Sequence, residues 1–140
     1  MKNVFISDNC NESDISFIRK NLINYNKDNI GSEPLIEHVN LILRNDDKEI
    51  VGGISGIIYM ECLSIDLLWV SEELRGLGYG KKLLNEIETT AKSRKCKKVV
   101  LDTFSFQAPD FYRRNGYIIY AVLEDYPVQK VKRYYFKKDL

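Results

Sequence analysis

Between residues 62 and 82 the chain reads C-L-S-I-D-L-L-W-V-S-E-E-L-R-G-L-G-Y-G-K-K. Gly76, Gly78 and Gly80 stand at alternate positions, flanked by Arg75 and Lys81. Glycines so spaced free the backbone to take φ > 0 and remove side chains, so that successive N–H groups can point at one spot. An apolar run (Ile65, Leu67, Leu68, Trp69, Val70) precedes the turn, and Leu83, Leu84, Ile87 and Ala91 follow it at helical spacing. A strand, a glycine turn and a helix start are therefore expected. The unpaired first-turn amides and the positive end of the helix dipole suit a phosphate-like anion, and Arg75 and Lys81 add charge beside it.

Two familiar phosphate loops do not fit. Gly80-Lys81 is followed by Lys82 rather than Ser or Thr, and no glycine sits five residues before Gly80. The spacing G-x-G-x-G also differs from the dinucleotide fingerprint G-x-G-x-x-G. What remains is R-x-x-G-x-G, read as Arg75, Gly78 and Gly80. This resembles the pyrophosphate-binding motif of the GNAT superfamily of N-acetyltransferases. A second stretch, Ala108-Pro109-Asp110-Phe111-Tyr112-Arg113-Arg114-Asn115-Gly116-Tyr117, resembles the same family's A-x-x-F-Y-x-x-x-G-F/Y pattern. Two motifs in the right order are far more specific than either alone.

The resemblance implies roles. Residues 75–81, namely Arg75, Gly76, Leu77, Gly78, Tyr79, Gly80 and Lys81, would hold the pyrophosphate of acetyl-CoA. Main-chain groups of Leu68, Trp69 and Val70 would pair with its pantetheine arm as an added strand does. Ala108 and Tyr112 would also touch the cofactor, and Tyr112 would act as general acid; a phenol with a pKa near ~10 is protonated at pH 7 and can supply the departing thiolate. The alternative is that Phe111 and Tyr112 are core aromatics. Asp66 falls where many members carry the carboxylate that deprotonates the amine, directly or through water. A carboxylate in an apolar strand is costly to bury without a reason, and an edge position or an ion pair would explain it equally. The family often has a cofactor-contacting asparagine where this chain has Ser105, with Gln107 nearby to share that contact. Lys82, Arg113 and Arg114 are candidates for the terminal ribose phosphate or for plain solvation. The acceptor pocket would draw on residues 25–38 and 124–130, with Glu61, Asp66, Glu124 and Asp125 favouring a cationic amine.

These residues need a scaffold. Residues 4–7 are β-prone; Asn11 with Glu12 and Asp14 then starts a helix whose apolar face is Ile15, Ile18, Leu22 and Tyr25. Residues 26–32 read as a loop, and 33–38 as either a helical turn begun near Pro34 or an extended approach. Strands are expected at 39–44 and 49–60, joined by hairpin chemistry at 45–48, with Gly52, Gly53 and Gly56 signalling a bulge or a close backbone approach. After the central strand, turn and helix (to about Arg94) come a buried strand at 97–103, a short helix at 108–115 closed by Gly116, and strands at 117–123 and 131–136. The order is that of a mixed α/β domain covering residues 1–140. The resemblance makes it a GNAT-like fold, with a central, mostly antiparallel sheet of six to seven strands and about four helices.

Composition closes other routes. With 140 residues, 21 Lys plus Arg, 20 Asp plus Glu and a net charge of +1, nothing draws the chain to nucleic acid or to an anionic membrane. No apolar run has the length of a signal peptide or a membrane span. Three cysteines without C-x-x-C spacing and a single histidine, His38, argue for reduced thiols in a cytoplasmic protein, against a metal site and against a Ser-His-Asp hydrolase. Neither Cys62 nor Cys96 has a nearby histidine in sequence to make it a nucleophile. The expectation is an acyltransferase that moves acetyl from acetyl-CoA to a primary amine of a small molecule or peptide in a ternary complex, as a monomer or homodimer, without a metal. The alternative is an acyl-CoA-binding regulatory or interaction module that has lost turnover.

Overall fold

A computed structural model describes residues 1–140 and divides them into two compact units, Met1–Pro34 and Leu35–Leu140. The first unit is built on one helix, α1 (Glu12–Ile30). Asn11 caps it through a capping box, its Oδ1 accepting from the Asp14 amide while the Asp14 carboxylate accepts from the Asn11 amide. Gly31, at φ 83°, ends the helix. The expected loop at 26–32 is therefore helical as far as Ile30. Apolar periodicity fades after Tyr25, but nothing breaks the backbone ladder until Gly31. Residues 4–7 form no strand, so the sheet has six strands rather than seven.

The second unit holds strands β1 (Ile36–Arg44), β2 (Ile50–Tyr59) and β3 (Cys62–Val70), a 3-10 turn (Glu72–Leu74), helix α2 (Tyr79–Ser93), β4 (Lys98–Phe104), helix α3 (Pro109–Arg114), β5 (Ile118–Leu123) and β6 (Arg133–Asp139). Residues 33–35 are not helical, which selects the extended approach to β1. The last strand begins two residues later than expected and runs to Asp139. Its forerunner Lys132 instead exchanges hydrogen bonds with Ser105: the Ser105 amide donates to the Lys132 carbonyl (2.8 Å) and the Lys132 amide to Ser105 Oγ (3.0 Å).

The sheet order is β1-β2-β3-β4-β6-β5, and only β3 and β4 run parallel. Alternation along the strands sends Ile54, Ile58, Leu63, Ile65, Val99, Leu101 and Phe136 to one face, where Leu83, Leu84, Ile87 and Ala91 of α2 join them in the core. Each fully buried Ile, Leu or Phe contributes ~1.5–3 kcal/mol. Gly56 is obligatory in this layer: a Cβ there would sit 2.8 Å from the Ser64 carbonyl and 2.9 Å from a Leu63 methyl. One buried charge is answered locally. Glu88 on α2 accepts from Lys138 Nζ (2.6 Å) and from the Tyr117 hydroxyl (3.3 Å), tying the helix to β6 and to the start of β5.

Candidate active site

The pairing of β3 with β4 stops halfway. Four residue pairs, Cys62↔Lys98 to Ile65↔Leu101, are joined, and beyond them the two strands part. Residues 67–70 stay with β2, opposite Ser55 to Gly52, while Asp102, Thr103 and Phe104 stay with β6, opposite Tyr135, Tyr134 and Arg133. The cause is an extra residue in β3. Ser55 faces Leu67 and Gly56 faces Ile65, so Asp66 has no partner; such a bulge bends its strand and raises the local twist. This bulge is carried by β3, opposite Gly56; the one expected in β2 is at Val51, where Leu43 faces Gly52 and Arg44 faces Ile50. The result is a wedge-shaped cleft of about 900 Å³, both of whose inner strand edges carry backbone groups outside any ladder.

The glycine turn closes the wide end. Gly76 and Gly78 are left-handed (φ 77° and 89°), and a Cβ on either would meet nothing within 4 Å, so conformation rather than crowding calls for glycine. Gly80 differs: it lies inside the first turn of α2 without a positive φ, and its hydrogens face the Phe111 ring, 3.5 Å from where a Cβ would be. The expectation of φ > 0 holds for two of the three glycines. Gly78 is the N-cap of α2 and its carbonyl accepts from the Lys82 amide (3.0 Å), leaving the amides of Tyr79, Gly80 and Lys81 as the helix's unpaired first-turn donors. Arg75 is anchored at the end of β3, its Nε donating to the Val70 carbonyl (3.0 Å). Arg75, Lys81 and Arg114 all line the cleft, and none is in an ion pair. Positive charge, free amides and a positive helix end therefore converge on one mouth.

Tyr112 stands at the narrow end. Its ring packs edge-on against Phe111 and Tyr117 and tilted on Phe136, and the residue is 9% exposed. Its hydroxyl makes no hydrogen bond within the chain, and the residue lines the cleft. Burial pushes its pKa up to about 12, with the nearby Asp102 carboxylate adding to the shift. The phenol is protonated throughout the physiological range. It is thus a core aromatic that also lines the cleft with a protonated phenol.

Asp66 lines the cleft from the bulge, exposed and free of any ion pair, which removes the desolvation that a regular position in the strand would have cost. Leu68, Trp69, Val70 and Ala108 line the same space. Leu77 and Ser105 do not: Leu77 is two-thirds exposed on the turn, and the Ser105 hydroxyl is committed to the Lys132 amide. Gln107 does line the cleft, with its side-chain oxygen accepting from Thr103 Oγ1 (2.8 Å) and the Phe104 amide (2.7 Å). Arg113 is paired with Asp110 (2.6 Å) and lies over Tyr134, and Lys82 borders a separate small hollow, which leaves Arg114 as the cleft's third cation. Glu61 is at the paired end of the strands, its carbonyl accepting from the Lys97 amide, and does not line the cleft.

Among the cleft residues that the sequence left unassigned, two stand out. Asp102 is one, held by Arg133 through Nε (2.9 Å) and Nη2 (2.8 Å), both on the same carboxylate oxygen. Its signal was available: like Asp66, it is a lone carboxylate in an apolar strand. Phe106 is the other, and no pattern marks it. Cys62 and Cys96 are free thiols whose pKa values burial raises, which makes them poor nucleophiles.

The chain matches the family model described as Acetyltransferase (GNAT) family over residues 12–117. It is 40% identical over 80 residues to blasticidin-S acetyltransferase of Streptomyces morookaense, a match covering 56% of this chain and 59% of that relative. It is 33% identical over 115 residues to an acetyltransferase of Agrobacterium fabrum, covering 82% and 83% of the two chains. Among solved structures, an acetyltransferase from Bacillus cereus superposes with a TM-score of 0.88 at 39% identity, over 97% of this chain and 98% of the other. An aminoglycoside 6'-N-acetyltransferase complexed with coenzyme A shares the fold at 18% identity, with a TM-score of 0.64 over 74% and 73%.

Proposed function

Because the chain belongs to the GNAT acetyltransferase family, we propose that it moves an acetyl group from acetyl-CoA to a primary amine of a small molecule or peptide, by direct transfer in a ternary complex. The observation that carries this reading is the parting of β3 from β4 between an anion-binding turn at one end and the Tyr112 hydroxyl at the other. The residues present fit acetyl-CoA. Free amides of Tyr79, Gly80 and Lys81, with Arg75 and Lys81, suit a pyrophosphate, and the unpaired edge of β3 at residues 68–70 suits the amide-bearing pantetheine arm. Bound acetyl-CoA supplies an activated acyl group as a thioester.

This chain's residues then orient and move protons. Asp66 takes a proton from the incoming ammonium, directly or through water, so that the nitrogen lone pair is free. As the C–N bond forms and the C–S bond breaks, Tyr112 gives its proton to the departing thiolate. The acylated nitrogen sheds its second proton, which restores the phenol directly or through water, and Asp66 releases the first proton to solvent through the open cleft. No enzyme nucleophile is needed, consistent with the raised thiol pKa values. The 40% identical relative named for blasticidin-S favours a small-molecule acceptor over a peptide.

The test is acetyl-CoA binding followed by amine-dependent thiol release. Saturating acetyl-CoA should raise Tm by mass action, by ~2.7 kcal/mol of stabilisation at a hundred times Kd, and a panel of primary amines should release CoA. Gly78→Val should remove the Tm shift, because a β-branched residue does not tolerate φ 89°. A shift without release from any amine would favour the acyl-CoA-binding module instead. No shift at all would refute the assignment of the turn.

A further inference from the structure

Two large aromatic side chains stand in the cleft without a partner in the core. Trp69 on the β3 bank is 52% exposed, and Phe106 on the loop that follows β4 is 67% exposed. Single exposed apolar residues on a convex surface need no explanation, but a concave site that pairs aromatic walls with carboxylates is the usual build of a ligand pocket. Asp66 and Asp102 are those carboxylates, one on each bank.

Phe106 is also held in place. Its ring stacks on Phe104 (centroids 5.5 Å, planes 16° apart), and Phe104 lies 6.1 Å from the Tyr126 ring. The Arg133 guanidinium sits over Phe104, Tyr126 and Tyr135 at 5.7, 5.4 and 5.2 Å while its nitrogens grip Asp102. A guanidinium among three rings and a carboxylate is a fixed strut. It fixes Asp102 and, through Phe104, gives Phe106 a fixed surface to stack on. The exposed side of Phe106 is therefore a flat apolar surface fixed in orientation, in the same cleft as two carboxylates that attract an ammonium.

Resting on the acetyl-transfer reading above, we propose that the acceptor is an amine carrying a flat aromatic or heteroaromatic ring, which stacks on Phe106 with Trp69 as the opposite wall while its ammonium meets the Asp66 and Asp102 carboxylates. Aliphatic amines of the same charge and size meet the carboxylates but have no face to offer the rings. The ring site is thus separable from the transfer chemistry.

The test uses a matched pair of probes, 2-phenylethylamine and 2-cyclohexylethylamine, titrated into the full-length chain with and without CoA by ligand-observed NMR. The phenyl compound should bind roughly three- to tenfold more tightly, the range expected of an aromatic pair beyond its buried area. Phe106→Leu, a change at an exposed position that leaves the core intact, should erase that preference, and Phe106→Tyr should keep it. Equal dissociation constants in the wild type, binding of neither amine, or a preference that survives Phe106→Leu would each overturn the proposal. Thiol release from acetyl-CoA, followed in parallel, separates the two readings. Ring preference without release defeats acetyl transfer alone, and release without ring preference defeats the ring site alone.

Discussion

Cys62 to Ile65 and Asp66 to Val70 are two halves of one strand with opposite fates. In the first half Leu63 and Ile65 are buried, β4 is hydrogen-bonded alongside, and Glu61 and Lys97 close the end. In the second half the same strand has lost that neighbour, exposes Asp66, Leu67 and Trp69, and lines a cleft. Composition does not separate them, since both are mostly apolar. One inserted residue does: the bulge at Asp66 lets β3 follow β2 while β4 follows β6, so that the ladder which stabilises the lower half becomes a vacant edge in the upper half. Stability and candidate chemistry are thereby assigned to neighbouring segments of a single strand. Mutations in the two halves should accordingly fail in different ways.

The sharpest contrast comes from Tyr112→Phe at the open end. The ring and its packing on Phe136 and Tyr117 are kept, so folding and acetyl-CoA affinity should change little. The lost proton donor acts mainly in the transition state, so kcat should fall by ~10²–10⁴-fold. The loss should shrink with thioesters that have better leaving groups. Wild-type kcat in this variant would reduce Tyr112 to a packing residue.

Leu63→Ala tests the closed half. Leu63 is fully buried, and truncating it should destabilise the fold by ~2–5 kcal/mol in chemical denaturation, with CoA binding retained at temperatures where the variant stays folded. A large loss of CoA affinity without loss of stability would mean that the two halves are not separable.

Asp66→Asn acts at the junction and should have the smallest effect. An exposed carboxylate acting on a nearby ammonium is worth about 1 kcal/mol, roughly a fivefold loss in kcat/KM. The loss should be greatest at low pH, where the amine is protonated, with CoA affinity unaltered. A pH-rate profile identical to that of the wild type would remove Asp66 from the mechanism.

Much of this architecture was legible along the chain because it depends on neighbours in sequence. The glycine turn ahead of a helical apolar face announced the start of α2, Asn11 with Asp14 announced that of α1, and Gly116 marked the end of α3. Residues of the R-x-x-G-x-G and A-x-x-F-Y motifs line one cleft. Local backbone rules and short periodicities decide such features, and a sequence records them directly. Errors came where the deciding partner was distant. Residues 4–7 have β propensity but no strand to pair with. Ser105 was matched to a cofactor contact, yet the Lys132 amide, 27 residues away, takes its hydroxyl. Gly80 has the same spacing as Gly76 and Gly78 but answers to the Phe111 ring rather than to a positive φ.

The sequence by itself thus determined the glycine turn, the helix behind it, the place of Tyr112 on a short helix and the succession of strands from residue 39 onward. Only the tertiary structure decided that β3 and β4 part after Ile65, that Asp66 sits on a bulge, that Arg133 locks Asp102, and that Phe106 and Trp69 face one cleft from opposite banks. The physical reason is that strand pairing and side-chain facing are set by register between segments tens of residues apart, and a shift of one residue sends a side chain to the other face of the sheet. No local pattern along a single strand contains that register.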